Sequence, residues 1–171
     1  ERGLPNLKTT LDAIPELITP ESIELFERYG VFNARELHSR YEVRLEQYAM
    51  TIAVEAKLAC EIGSTVILPA ALRYQTELAQ NVATMKAAGF PAETSLLAQV
   101  SEPIAELTAA ISGLKAALAA HVEGSLAEAL HARDEVLPAM DAVRAAADTL
   151  EGIIADDLWP LPTYQEMLYI L

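Results

Sequence analysis

The longest coherent signal in the chain is an apolar stripe. Leu37, Tyr41, Leu45, Tyr48, Ile52, Ala56, Ala59, Ile62 and Val66 recur every three or four residues, the spacing that lays one face of an α-helix against a partner. Asn33 and Glu36 open the pattern as an N-x-x-E capping box, and no strong stop follows until Gly89. One very long helix is therefore predicted over 33–88, reaching roughly 80 Å at the α-helical rise. Pro69 must kink or divide it, because a mid-helix proline loses a hydrogen bond and its ring meets the preceding turn.

Two further seams follow. Leu97, Val100, Ile104, Leu107, Ile111, Leu114 and Leu118 are spaced as in a coiled coil, and the phase holds across Pro103, which predicts a bend rather than a stop. Gly124 and Ser125 offer a break and a new N-cap, with Glu128 three residues on. Val136, Met140, Val143, Ala147, Leu150 and Ile154 then carry the last seam, with Pro138 inside it. Between Ile104 and Leu150, 15 of 47 residues are alanine, which favours helix and lets backbones approach closely. These elements predict an all-α fold, an antiparallel three-helix bundle of coiled-coil type.

The ends of the chain read differently. Residues 1–18 are a proline-punctuated lead-in with one helical turn near Leu11 to Ala13. Thr19, Pro20 and Glu21 then cap a short helix that Gly30 stops. At the other end Asp156 and Asp157 meet the negative pole of a helix, which ends it. Pro160 and Pro162 hold Trp159 and Leu161 in extended conformation, and Thr163 with Glu166 caps a final turn, Tyr164 to Leu171. This Trp-Pro-Leu-Pro strap carries too much apolar surface to hang in water, so Trp159, Leu161 and Tyr164 are candidate packing contacts. Tyr41 and Tyr48, in "ARELHSRYEVRLEQY", serve equally a solvated flank or a docking face. The punctuation divides the chain into 1–32, 33–155 and 156–171.

Charge narrows the partners. With 25 acidic against 12 basic residues the net charge is -13, the opposite of what phosphate tracking needs, so neither nucleic acid nor an anionic membrane is expected. The longest apolar run, Val66 to Leu72, contains Pro69 and falls far short of the ~20 residues that cross a bilayer. A lone Cys60 and the lack of a basic-then-apolar leader fit the reducing cytoplasm. The start at Glu1, without methionine, reads as the interior of a longer protein.

Catalytic chemistry finds no constellation. Glu128-Ala-Leu-His131 has the E-x-x-H spacing of di-iron bundles, but such sites need a second copy and two more glutamates. A solvated surface pair is the better reading. Cys60 lies among alanines with no histidine relay, where a thiol acts as a small apolar group. Phosphate loops, C-x-x-C pairs, G-x-S-x-G and H-E-x-x-H are absent. The expected catalytic, cofactor and metal residues are none.

Four stretches, in order, resemble the C-terminal part of type III glutamine synthetases: "ERGLPNLKTTLDAIPELITPESIELFERYGVF", "ARELHSRYEVRLEQY", "EAKLACEIGSTVILPAALRYQTELA" and "DDLWPLPTYQEMLYIL". Residues 93–130 add no weight. The resemblance implies that residues 1–32 close a catalytic domain and that the rest is a helical extension, suited to oligomer packing or regulation. It implies a parent ligase that joins ammonia to glutamate through a γ-glutamyl phosphate, using ATP and Mg or Mn, in a dodecamer of two hexameric rings. None of that family's metal, nucleotide or glutamate contacts map onto this chain, whose partners would be the rest of the enzyme and neighbouring subunits. The alternative is a stand-alone coiled-coil interaction module.

Overall fold

A computed structural model describes residues 3–162 and 164–168, without the side chains of Tyr164 and Gln165. Among them there are helices and no strands. A first turn α1 (Thr10–Ala13) runs into a 3-10 turn (Ile14–Ile18), followed by α2 (Pro20–Arg28), α3 (Ala34–Ile62), a π-helical turn (Gly63–Ile67) and α4 (Leu68–Ala87). Next come α5 (Ser95–Ala119), α6 (Ser125–His131), a second π-helical turn (Ala132–Val136) and α7 (Leu137–Glu151). A short 3-10 turn (Asp156–Leu158) and α8 (Tyr164–Leu168) complete the described chain. No described helix is long and apolar enough to cross a membrane.

Local chemistry sets the helix ends. Thr19 caps α2, its hydroxyl accepting from the Ser22 N–H at 3.3 Å, with Pro20 in the first turn where a missing N–H costs nothing. Asn33 and Glu36 form the anticipated capping box: Asn33 Oδ1 accepts from the Glu36 N–H at 3.0 Å, and Glu36 Oε2 from the Asn33 N–H at 2.9 Å. Gly30 and Gly89 close α2 and α4 at φ 64° and 82°. Each is followed by a reverse bond to the residue five back, Val31 to Phe26 and Phe90 to Met85, both 3.0 Å. At α6 the cap is Gly124, at φ 98°, and not Ser125. The positive φ suits glycine, and Ser125 is freed to donate its hydroxyl to Glu42.

The helix from Ala34 to Ala87 is unbroken, and Pro69 neither ends it nor divides it. The device is the π turn before the proline. In an α-helix the ring of Pro69 would meet the carbonyl four residues back. A wider turn, with Leu68 N–H bonding to the Gly63 carbonyl, displaces that carbonyl and leaves one residue unpaired where proline has no donor. The same solution recurs at Ala132–Val136, immediately before Leu137-Pro138. Pro103 lies inside α5 with no such turn.

Two compact units emerge, each assembled from separated segments: residues 1–55 with 120–136, and residues 56–119 with 137–171. In the first unit Leu11, Ile14, Tyr41, Leu45 and Ala129 form one buried cluster, flanked by Ile18, Tyr48 and Leu130. In the second, α5 packs on α7 and α4, and the first π turn touches both α5 and α7. The seam of α5 is buried as its spacing requires, from Val100 through Ile104, Leu107 and Ile111 to Leu114. Opposite it lie Val143, Ala147 and Leu150.

The long stripe needs one correction. Leu37, Tyr41, Leu45, Ile52 and Ala56 are buried as expected, but the stripe then continues through Cys60, Gly63 and Ile67, leaving Ala59, Ile62 and Val66 half-buried. Reading by hydrophobicity passes over cysteine and glycine, whereas this contact selects smallness. A Cβ placed on Gly63 would stand 3.4 Å from Ile111 and from Val143. Gly63→Ala should therefore stay within about 1 kcal/mol of wild type, contact offsetting the loss of a helix glycine. Gly63→Leu should cost on the order of 1–3 kcal/mol by overpacking. Denaturant midpoints at constant slope measure both.

Candidate functional site

The corner between α2 and α3 is built from aromatic and cationic groups. Phe26 and Phe32 lie with ring centres 5.7 Å apart at 47°, and the Arg40 guanidinium carbon stands 4.1 Å over the Phe32 ring. A shallow depression of about 370 Å³ opens beside Phe32, lined by Glu27, Gly30, Asn33 and Glu36. Its two carboxylates are already engaged. Glu27 accepts from the Ala34 N–H at 3.1 Å and Glu36 from the Asn33 N–H. The arrangement therefore caps α3 and fixes its entry, leaving little capacity to hold a ligand.

A second polar group centres on Arg133, in the second π turn. Its Nε and Nη2 donate to the two carboxylate oxygens of Asp134 at 2.7 and 3.0 Å, and Nη1 lies 3.9 Å from Asp12. Asp12 in turn is half of the α1 capping box: it accepts from the Thr9 N–H at 3.1 Å, while the Thr9 hydroxyl accepts from the Asp12 N–H at 3.2 Å. Hydrogen bonds from Thr9, side chain before backbone, hold the Asp12 carboxyl below its usual range, and Arg133 adds to this. The Arg133 hydrogen bond does the same for Asp134. Beside them burial pushes the Tyr48 phenol above its ordinary value. This network ties the first turn of the chain to the π turn over the Leu11 and Tyr41 cluster.

Of the side chains singled out from sequence, Tyr41 is only 8% exposed and belongs to the first unit's core. Tyr48 is half-buried against the same cluster. Trp159 is half-buried and extended, at φ -73° and ψ 120°, as Pro160 requires. The turn just before it packs on α4. The indole N–H of Trp159 is buried without a hydrogen-bond partner. Leu161 is half-buried. Tyr164 opens α8, but its side chain lies outside the described residues, as do Thr163 and the last three residues of the predicted final turn. Glu128 is exposed. Among the described residues no three His, Cys, Asp or Glu side chains converge as a metal site would require.

Sequence reading did not single out the helical hairpin formed by the end of α4 and the start of α5. There Met85, Phe90 and Leu96 are all exposed. Next to them a shallow depression of about 530 Å³ lies at the surface, lined by Thr76, Ala79, Ala83 and Leu97. The available signal was a lack of charge: from residue 78 to residue 92 Lys86 is alone.

Two outcomes follow from this geometry. The carboxyls of Asp12 and Asp134 are lowered in the folded state, so they contribute stability above the unfolded carboxyl value of about 4 that is lost as pH falls through their folded values. Melting temperature should drop across that acid window, and Asp12→Asn should lower it at neutral pH while flattening the acid slope. Trp159, the single tryptophan, should emit to the blue of free indole and be partly shielded from acrylamide; full quenching would contradict its packing.

A family model described as "Glutamine synthetase C-terminal domain" matches residues 1–86. The glutamine synthetase of Butyrivibrio fibrisolvens is 33% identical over 177 residues, covering 100% of this chain and 25% of the relative. The type-3 glutamine synthetase of Dictyostelium discoideum is 31% identical, covering 99% of the chain and 24% of the relative. For the glutamine synthetase of Bacteroides fragilis (strain YCH46) the identity is 30%, over 98% of the chain and 24% of the relative. The chain thus spans about a quarter of the length of the curated relatives it matches. The chain therefore belongs to the glutamine synthetase C-terminal domain family.

Proposed function

We propose that this chain is the helical C-terminal module of a type III glutamine synthetase, non-catalytic in itself, which packs against the rest of the enzyme and between subunits of a cytoplasmic homo-oligomer. The parent enzyme would ligate ammonia to glutamate with ATP and Mg or Mn, supplying nitrogen for assimilation. The observation that carries the reading is the alignment of virtually the whole chain, without a leftover segment, to one quarter of a type-3 enzyme. The side chains agree with it. Glu27, Glu36 and Asp12 act as helix caps, and Arg133 is engaged by Asp134, so these groups organise the fold. The three seams of α3–α4, α5 and α7 serve as one antiparallel three-helix bundle, with the Trp159 strap as its closing contact.

The test is ammonia- and glutamate-dependent ADP release, run on the complete gene product and on this 171-residue chain. Turnover by the complete protein with none by the chain supports the reading. Activity of the chain alone would overturn the non-catalytic role. Inactivity of a correctly folded complete protein would overturn the ligase assignment and favour a stand-alone coiled-coil module.

A further inference from the structure

The strap after α7 is held differently from the helix it follows. α7 is anchored by Val143, Ala146, Ala147 and Leu150, and Ile154 is the last buried side chain among the described residues. From Ala155 onward no described side chain is buried. Leu158, Trp159 and Leu161 are half-buried, while Met167 and Leu168 in α8 are 57% and 75% exposed. The turn Asp156–Leu158 touches α4. The hydrogen bonds that shape it are local, the N–H groups of Leu158 and Trp159 donating to the Ala155 carbonyl at 2.9 and 3.1 Å.

Three features weaken this contact. The indole N–H of Trp159 is out of reach of water yet meets no acceptor, so the hydration it loses on docking offsets part of what burial of the ring contributes. Pro160 and Pro162 have no N–H with which to bond to a neighbouring element. From Glu151 onward the chain carries four acids and no base, and in a chain at -13 that charge favours separation over docking. Segments with few buried contacts and only local hydrogen bonds open before the structure they cover. We propose that the strap is a releasable clasp: residues 155–162 leave α4 as one piece, with Ile154 as the fixed end, while α5 and α7 stay packed. Release gives the indole N–H a water to bond and uncovers the face of α4 beneath the Asp156–Leu158 turn. This inference rests on the closing contact proposed above and states how firmly it is closed.

Hydrogen exchange on the 171-residue chain, followed by NMR, tests this, because Trp159 supplies the single indole N–H. The expected result is an indole protected relative to free indole, with a protection factor at least about 100-fold below that of the slowest α5 amides. Protection equal to those amides would overturn release and leave the closing contact standing. No protection at all would overturn the closing contact itself, and the clasp with it. Trp159→Ala should lower the folding equilibrium constant of the bundle by less than about 10-fold, where a tryptophan packed in a core gives a loss of about 100-fold or more. A larger loss than about 10-fold would place the strap within the cooperative core and overturn the clasp. Trp159→Phe keeps a ring without the donor, so the Leu158 amide should exchange no faster than in wild type. Faster exchange would overturn the weakening assigned to the unpaired N–H.

Discussion

The second unit depends on a small residue at position 63. Helices carrying ordinary side chains pack with axes 8–10 Å apart, and the space at position 63, where a Cβ would stand 3.4 Å from Ile111 of α5 and Val143 of α7, has no room for a larger side chain. Around that point the core is built from small residues, Ala56, Cys60, Ala70, Ala71, Ala146 and Ala147, against the leucines and isoleucines of the α5 seam. Alanine richness here gives backbone proximity as well as helix propensity, and dispersion across a dense contact replaces the bulk of large side chains.

The π turns belong to the same constraint. Gly63 stands at the first position of one of them, so the wide turn that accommodates Pro69 also sets the phase at which the helix presents Gly63 and Ile67 to α5. A proline that would otherwise break the helix thus becomes compatible with a continuous buried stripe. The repetition of a π turn before Leu137-Pro138 indicates a local rule: Leu-Pro within a helix whose neighbours demand continuity is absorbed by one widened turn.

Acidic side chains near the N-terminus are used as caps, and the two tyrosines of the docking-face reading lie in and against a core. A core confined to the inward faces of the helices leaves Val43, Met50, Val54 and Leu58 of the long helix exposed.

Sequence alone determined whatever depends on neighbours within a few residues. The capping boxes at Asn33, the stops at Gly30 and Gly89, the heptad seams of α5 and α7 and the extended Trp159 all follow from local hydrogen bonding, backbone sterics and period, and the family could be read from four short stretches. Tertiary structure decided the rest. Whether Tyr41 served a surface or a core depended on Leu11 and Ala129 arriving from distant segments. Whether Pro69 broke the helix depended on packing that rewards continuity. The shift of the stripe to Cys60 and Gly63 arose because a helix contact selects shape, and hydrophobic periodicity does not register the value of a missing side chain.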